Sequence, residues 1–322
     1  MSTYKKEFGT AVQNNAGDYT GAVEGQLWYN STAGSFQFRS VTTAGAWATG
    51  GSLNTARSLL FGSGIDSSSL AYGGFVPGTS ALTESYNGSA WTEVNDLNTA
   101  RHNGGSAGSS NTDALCISGS SPATEQWNGS SWTEVADLNT YRLAIGATGT
   151  STSALAFGGN APPTGNVTNT EEWNGTSWTE VNDLNTARIS GASAGSKTSA
   201  LFVGGTFDPP VVANVESWNG TSWTEIADIN TAREQFRGAG TDNTAAVAFA
   251  GNPGNLAITE TWNGVSWTED GDLSTGRSNL AGSGTESSAL AFGGANPPTT
   301  RLTATEEWTG AGAPVTETIT TS

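Results

Sequence analysis

The stretch WNGTSWTEVNDLNTAR, at residues 173–188, decides the fold because its ending, LNTAR, occurs six times along the chain in identical or closely similar form. The copies end at arginines that are 44, 41, 46, 45 and 44 residues apart: Arg57, Arg101, Arg142, Arg188, Arg233 and Arg277. A period of this length is typical of proteins built from stacked supersecondary units, each too small to bury its own apolar face. The sequence therefore predicts six repeats of one structural unit.

One repeat, residues 188–233, contains four short segments with the composition of β-strands. We name them strands a to d in chain order: RISGASAG (188–195), SALFVGG (199–205), ANVESWNG (213–220) and SWTEIADINTAR (222–233). No part of the chain has apolar residues at the spacing of an amphipathic helix. Four strands in a repeat of this length predict one blade of an all-β propeller.

Each strand has a composition that indicates its place in the blade. Strand a is rich in small residues and ends at a glycine such as Gly195, which suits the crowded innermost position. Strand b carries an apolar run, such as ALAFGG at 154–159, that fits the layer between blades. Strands c and d are joined through Asn-Gly, which favours tight hairpin turns, and a tryptophan flanks each side, as at Trp173 and Trp178.

The two ends of the repeat region complement one another. The last repeat has Trp308 in strand c, but Pro314 and no tryptophan stand where its strand d is expected. Upstream of the first repeat, GAWATGGSLNTAR at 45–57 is a strand d without a blade, with Trp47 at the tryptophan position. Pairing the two would close a ring and remove free sheet edges. We therefore expect an all-β, six-bladed β-propeller of four-stranded antiparallel blades, closed by an N-terminal strand.

These boundaries divide the chain into a leader at 1–44, a propeller at 45–310 and a C-terminal tail at 311–322. The leader contains EGQLWYNSTAGSFQF at 24–38, two apolar pieces around a turn of Ser, Thr and Gly, which predicts a hairpin. Its aromatic residues are expected to anchor the chain against the propeller edge, another protein or a second copy in a homo-oligomer. These anchoring residues are Trp28, Tyr29, Phe36 and Phe38.

The composition argues against several partners and chemistries. The net charge of −17 repels nucleic acid and anionic lipid, and no apolar run reaches the length of about 18 residues that a membrane-spanning helix needs. We therefore expect neither nucleic acid binding nor membrane insertion, and the lack of an apolar signal segment predicts synthesis in the cytoplasm. One cysteine, Cys116, and one histidine, His102, predict no disulfide, no metal site and no cofactor.

Four features together resemble the Kelch-type propeller family over about residues 45–310: paired glycines after strand b, the aromatic residue of strand c, the tryptophan of strand d and the arginine of LNTAR. The glycine pairs stand at 73–74, 158–159, 204–205 and 293–294, and become Ser118-Gly119 and Ala250-Gly251 in two repeats. The amino-acid sequences of the repeats and of the leader are also similar to those of Kelch-like virion proteins of tailed bacteriophages, which are often tail-associated. This resemblance implies a virion protein, made in the host cytoplasm, that binds other virion proteins or a host-surface glycan or protein.

Two enzymatic propeller classes lack support in the sequence. A copper oxidase site needs imidazole ligands that one histidine cannot supply. A sialidase needs non-equivalent arginines, a tyrosine nucleophile and paired carboxylates, and the SxDxGxTW boxes typical of that family are missing. The expected function is therefore non-enzymatic, with an intracellular Kelch-type scaffold and a glycan-active enzyme as the alternatives.

The six repeated arginines admit two interpretations. Because strand a is innermost, their guanidinium groups could encircle one mouth of the central channel and bind an anion. Alternatively, each arginine pairs with a nearby carboxylate, such as the glutamate of TEEW or the aspartate five residues earlier, and ties strands together. The repetition favours the structural role, while all six stay among the candidate ligand-binding residues.

Among the connections within a repeat, the one between strands b and c varies most in length and amino-acid sequence. In an antiparallel four-stranded blade, the b–c and d–a connections lie on the same face, so these loops would surround the channel mouth. Stiff, non-identical loops suit recognition because they lose little entropy on binding, although loops also vary without any function. The candidate ligand-binding residues in these loops are Pro77, Pro162, Pro163, Pro209, Pro210, Pro297 and Pro298.

Overall fold

The computed structural model of the protein describes residues 12–17, 19, 22, 26–41, 44–207, 209–296, 300–312 and 314–319. The chain divides into two compact units, one containing Met1–Gly45 with Gly310–Ser322 and the other containing Ala46–Thr309. The division falls within one residue of the boundaries expected for the repeats. The leader and the C-terminal tail, expected as separate segments, belong to one unit.

The first unit contains a four-stranded sheet. Its strands, in sheet order, are Gln13–Asn15, Leu27–Asn30, Ser35–Val41 and Pro314–Thr318. The first pair is parallel and the other two pairs are antiparallel. The central hairpin is the one expected in the leader, and the side chain of Asn30 closes its turn by accepting hydrogen bonds from the backbone N of Thr32 and Ala33 at 3.0 and 2.9 Å. The C-terminal tail contributes an edge strand.

The described residues of the second unit form six four-stranded antiparallel sheets, which we number 1 to 6 along the chain. Strands a are Phe61–Ile65, Gly105–Ser110, Gly146–Thr150, Ala192–Ser196, Arg237–Ala239 and Ala281–Gly284. Strands b are Ser68–Tyr72, Asp113–Ile117, Ser153–Phe157, Ser199–Val203, Ala246–Phe249 and Ser288–Phe292. Each strand a contacts the strands a of its neighbouring sheets. Sheets arranged in this way, with their innermost strands in contact around a common centre, form a β-propeller.

In sheets 1 to 5, the outer two strands form the expected Asn-Gly hairpin, whereas in sheet 6 they come from opposite ends of the repeat region. Strands c are Thr83–Tyr86, Thr124–Trp127, Thr170–Trp173, Val215–Trp218, Thr259–Trp262 and Thr305–Thr309. Strands d are Trp91–Val94, Trp132–Val135, Trp178–Val181, Trp223–Ile226 and Trp267–Asp270 in sheets 1 to 5, and Ala46–Thr49 in sheet 6. Trp173 lies opposite Trp178, and Gly175 in the turn has φ +92, a value that favours glycine.

Apolar side chains fill the space between neighbouring sheets. Leu155 and Phe157 of sheet 3 pack with Phe202, Trp218 and Trp223 of sheet 4, and the ring centroids of Phe157 and Trp223 are 4.8 Å apart. The described residues form six such clusters, each drawn from two neighbouring sheets, and one of them joins sheet 6 to sheet 1. Each fully buried Leu or Phe contributes about 1.5–3 kcal/mol through loss of apolar contact with water. The core of this unit is therefore divided among the interfaces between sheets.

Strand Ala46–Thr49 pairs with strand c of sheet 6, in the place expected from the sequence. Trp47 lies opposite Trp308, with ring centroids 5.3 Å apart, and its ring also contacts Phe249 of sheet 5 at 4.9 Å. Its Nε1 donates to Oγ1 of Thr259 at 2.9 Å, as tryptophans of other strands d donate to a threonine of the preceding sheet. Trp47 therefore takes the position of a strand d tryptophan although it precedes the repeats in the chain.

Replacing Trp47 with alanine is expected to destabilise the second unit by about 2–4 kcal/mol, because it removes an aromatic side chain packed between sheets 5 and 6. Thr49→Ala is the matched control, since Thr49 is exposed on the same strand and its loss should cost no more than about 0.5 kcal/mol. Urea unfolding followed by circular dichroism measures both. Equal stabilities for the two variants would show that this strand is not an integral part of sheet 6.

Candidate functional site

Each repeated arginine forms an ion pair with a glutamate in strand c of the sheet that follows it in the chain. In sheet 4, Nη2 of Arg188 lies 2.9 Å from Oε1 of Glu216, and Nη1 donates to the carbonyl groups of Gly204 and Asn214 at 2.8 and 2.7 Å. The other pairs are Arg57–Glu84, Arg101–Glu125, Arg142–Glu171, Arg233–Glu260 and Arg277–Glu306. All six arginines are fully buried.

The rest of the LNTAR segment binds the same glutamate. Oε2 of Glu216 accepts hydrogen bonds from the backbone N and the Nδ2 of Asn185 at 2.7 and 2.8 Å, and Nδ2 also donates to the carbonyl of Trp223 at 3.1 Å. Leu184, one residue earlier, is buried in the cluster between sheets 3 and 4. The repeated segment is thus a connection whose leucine packs between sheets while its asparagine and arginine both bond to one carboxylate.

This geometry corrects the interpretation of the arginines as a ligand-binding ring. Arg57, Arg101, Arg142, Arg188, Arg233 and Arg277 have no exposed side-chain surface and do not line the cavity between the strands a. Desolvation lowers the pKa of Arg188, and the charge of Glu216 opposes this lowering. A guanidinium that is buried and paired in this way offers no surface to a ligand, so the structural interpretation replaces the ligand-binding one.

The b–c loops and the residues that follow the arginines lie together on one side of the second unit. Five pairs of residues bridge them: Ser58–Phe75, Leu143–Asn160, Ile189–Thr206, Glu234–Asn252 and Ser278–Ala295. Ile189 forms an isolated bridge with the b–c loop and is not part of strand a. Strand a of sheet 4 therefore begins at Ala192, whereas the sequence pattern placed its start at Arg188. We name this surface the loop face, formed by the described residues of 75–82, 119–123, 160–169, 205–214, 251–258 and 295–304.

The prolines of the loop face stand at its exposed tips. The exposed prolines are Pro77, Pro122, Pro162, Pro163, Pro209, Pro210 and Pro253, whereas Pro297 and Pro298 lie outside the described residues. The loop of sheet 1 contains a short hairpin of Phe75–Val76 with Gly78–Thr79, and the loop of sheet 3 contains one of Asn160–Ala161 with Gly165–Asn166. Loops of different construction therefore project from repeats of nearly constant structure.

A closed ring of backbone hydrogen bonds lies beside the inner ends of these loops. It joins the second residue after each repeated arginine: Leu59, Asn103, Ala144, Ser190, Gln235 and Asn279. Each backbone N donates to the carbonyl of its counterpart in the preceding sheet at 2.7–3.1 Å, and the N of Leu59 donates to Asn279. All six have φ between +53 and +61, a region that residues other than glycine rarely adopt. The ring fixes the bases of the loops relative to one another.

One group of non-repeating side chains makes the loop face asymmetric. Cζ of Arg301, from sheet 6, lies 4.8 Å from the ring centroid of Phe75 in sheet 1, and that centroid lies 5.5 Å from the ring centroid of His102, which precedes sheet 2. Each of the three is partly exposed, and desolvation lowers the pKa of His102, so its imidazole is neutral at pH 7. From the sequence, His102 was considered only as a metal ligand, and neither Phe75 nor Arg301 was singled out. The available signal was that none of the three repeats.

The aromatic residues expected to anchor the chain do not all share one surface. Trp28 is fully buried and packs edge-on against Tyr19, with ring centroids 6.4 Å apart. Tyr29 lies opposite Phe36 in the hairpin, with ring centroids 5.2 Å apart, and Phe36 is 46% exposed. Strand alternation places Phe38 on the same side as Phe36. Trp28 therefore cannot take the expected anchoring role, whereas Tyr29, Phe36 and Phe38 remain candidates for it.

Reactive groups are sparse in the part of the chain that the structure describes. Cys116 is fully buried, and burial raises the pKa of its thiol to about 12, so the thiol stays protonated at neutral pH. Nowhere among these residues do three His, Cys, Asp or Glu side chains assemble in a group that could hold a metal ion. A helix with the length and apolar character to cross a membrane is likewise not found among them.

A solved structure shares the fold of this chain. The protein of "Structure of YjhT" matches it with a TM-score of 0.67 at 11% sequence identity, over 80% of this chain and 96% of that one. At such identity the likeness shows the β-propeller fold alone. No protein-family model matches the chain, and no curated protein matches it.

Replacing Arg188 with alanine is expected to cost about 3–5 kcal/mol of unfolding free energy, because Glu216 would remain buried without its partner. Lys197→Ala is the control, since Nζ of Lys197 lies 3.6 Å from Glu172 in a partly exposed pair of a kind that contributes about 0–1 kcal/mol. Guanidinium unfolding measures both. A cost for Arg188→Ala as small as that for Lys197→Ala would restore the arginines as candidates for ligand binding.

Proposed function

We propose that the chain is a non-enzymatic virion protein of a tailed bacteriophage. Its second unit acts as a six-bladed Kelch-type propeller, closed by the N-terminal strand, whose loop face binds a host-surface glycan or protein or another virion protein. Support for six closed blades comes from the pairing of Ala46–Thr49 with sheet 6 and from the ring of backbone hydrogen bonds. Support for the Kelch-type and phage assignments comes from the amino-acid sequences of the repeats and the leader.

The contrast within each repeat is the observation that carries the binding role. The arginine–glutamate pair recurs in every sheet, whereas the b–c loops differ in length, proline content and local hairpins. A surface repeated six times offers six equivalent shallow sites, but unequal loops form one unique surface that can fit one ligand. The loop face is the part of the second unit with this property.

Rigidity of the loop face favours binding. Prolines restrict the loop tips, and the ring of hydrogen bonds holds the loop bases, so less conformational entropy is lost when a ligand binds. Phe75 and Arg301 bring an aromatic ring and a cation to one place, and aromatic and arginine side chains are enriched among the residues that contribute most to binding. The surface around Phe75, His102 and Arg301 is our proposed centre of recognition.

The leader sheet supplies a second surface, suited to attachment. Tyr29 and Phe36 share one side of the hairpin, and three further apolar side chains of this unit are prominently exposed, Val12 at 44%, Leu27 at 39% and Ile319 at 46%. Exposed apolar groups of this kind mark contact sites in assembled proteins. We propose that this surface attaches the chain to another virion protein or to a second copy of itself.

Gold-labelled antibodies against the purified chain test the proposed setting. They should label intact phage particles at a defined position in electron micrographs. Unlabelled particles, with a cellular protein co-purifying instead, would favour an intracellular scaffold. Consumption of a host-surface glycan by the purified chain would establish an enzyme and overturn the non-enzymatic role.

Substitutions on the loop face should weaken attachment without loss of stability. Phe75→Ala or Arg301→Ala is expected to reduce binding of the purified chain to host envelopes or to particles lacking it by about tenfold, equivalent to about 1.4 kcal/mol. Val265→Ser is the control, because Val265 is 78% exposed in the c–d turn of sheet 5, at the other end of strand c from the loop face. Binding is measured by surface plasmon resonance and stability by thermal unfolding.

A broader variant covers the case in which neither side chain contributes alone. Replacing Pro209 and Pro210 with Gly-Ser alters two exposed residues of the tip but keeps Thr206 and Val211, which pair with each other at the loop base. If this variant, Phe75→Ala and Arg301→Ala all bind as well as Val265→Ser, the loop face is not the binding surface.

A further inference from the structure

The six strands a enclose a cavity of about 320 Å³ inside the second unit. Its walls are mainly glycine, alanine, serine and threonine, because strand a consists of small residues. The described lining contains no carboxylate, and Arg237 is its single charged side chain. The cavity is therefore small and polar, and it carries one positive charge.

Arg237 departs from the pattern of its position in the repeat. The equivalent residues of the other strands a are Phe61, Gly105, Gly146, Ala192 and Ala281. In the next sheet, a side chain at Gly282 would begin only 3.1 Å from Cβ of Arg237. The glycine at 282 thus leaves space for the arginine side chain beside the cavity.

Arg237 has no carboxylate partner among the described residues, in contrast to the six repeated arginines. Its one hydrogen bond runs from Nη1 to the carbonyl of Phe236 at 2.9 Å, which leaves four of its five N–H groups for other acceptors. Desolvation lowers the pKa of Arg237 to about 10, so the guanidinium stays charged at neutral pH. A partly buried cation without a counter-charge opposes folding, so stability alone does not account for it.

Additional hydrogen-bond donors line the same cavity. The hydroxyl group of Ser193, in the neighbouring strand a of sheet 4, belongs to the lining, whereas that of Ser283 in sheet 6 is bonded to Oγ of Ser69. Each strand a pairs with a strand b along one edge only, so the backbone N–H groups of its other edge have no partner within the sheet. This edge presents both N–H and C=O groups, so backbone donors as well as the Ser193 hydroxyl are present near the guanidinium.

We propose that this cavity binds one small oxyanion, a carboxylate or a tetrahedral sulfate or phosphate, through the guanidinium of Arg237. The planar fork of N–H groups matches two oxygens of such an anion, and the volume admits a small anion with a few water molecules but not a polymer. The site lies between the strands a and not on the loop face. It is therefore independent of the proposed function.

Thermal unfolding with exchanged anions tests this site. Replacing chloride by sulfate or by acetate at constant ionic strength should raise the Tm of the wild-type protein by about 3 °C at ten times the dissociation constant, and the rise should saturate. Comparing sulfate with acetate decides between a tetrahedral and a planar anion. Sulfate also stabilises proteins without binding a site, so the decisive quantity is the difference between variants.

Arg237→Met should abolish the saturable rise, because it keeps the length of the side chain and removes the charge. Lys197→Met is the matched control and should retain the full rise, since Lys197 is a partly exposed cation that does not line the cavity. The same rise in Arg237→Met and wild type, or no saturable rise in the wild type, would overturn the proposal.

Crystals of the unaltered protein provide a measurement that does not depend on the folding of a variant. After soaking in sodium selenate, anomalous density is expected within hydrogen-bond distance of the Arg237 guanidinium. Density for water alone at this position, with selenate bound elsewhere in the same crystal, would contradict the site.

Discussion

A buried ion pair in every sheet is the interaction on which the second unit depends. Removing a guanidinium and a carboxylate from water costs several kcal/mol each, and their attraction offsets this cost only when the geometry is good and further hydrogen bonds are made. Arg188 and Glu216 meet both conditions, because carbonyl groups and Asn185 occupy additional donors and acceptors of the pair. The arginine belongs to the connection that precedes a sheet, and the glutamate belongs to strand c of that sheet. The pair therefore holds the connection in place against strand c.

This constraint separates the constant part of the repeat from the variable part. The connection that carries the arginine continues into the ring of backbone hydrogen bonds and bridges the b–c loop, so the base of each loop is held by the frame. Within the part of the chain that the structure describes, the ion pairs between arginine and glutamate and the aromatic contacts of the core involve no residue of the loop tips, where Pro162 and Pro209 are exposed. Changes at the tips can therefore alter recognition without loss of the fold.

Patterns that are local in the chain allowed much of the fold to be predicted: the period, the Asn-Gly hairpins and the strand of Trp47 that lacked a blade. The partner of Arg188 stayed open because a glutamate and an aspartate stood at suitable positions, and only the folded chain brings Glu216 against it. Sequence could not show that the C-terminal tail pairs with the leader, or that Phe75, His102 and Arg301 meet, since these contacts join segments distant in the chain. Arg237 could not be singled out, because the sequence places it in strand a without showing that its side chain lines a cavity or lacks a carboxylate partner.

Hydrogen exchange of the backbone amides, followed by mass spectrometry, tests most directly whether one frame unites the six sheets. The account predicts that strands b and c of all six sheets, together with Ala46–Thr49, open with the same highest free energy within about 1 kcal/mol, because they unfold as one cooperative unit. The tips of the loop face should exchange much faster. A markedly lower opening free energy for sheet 6 or for Ala46–Thr49 would contradict the account.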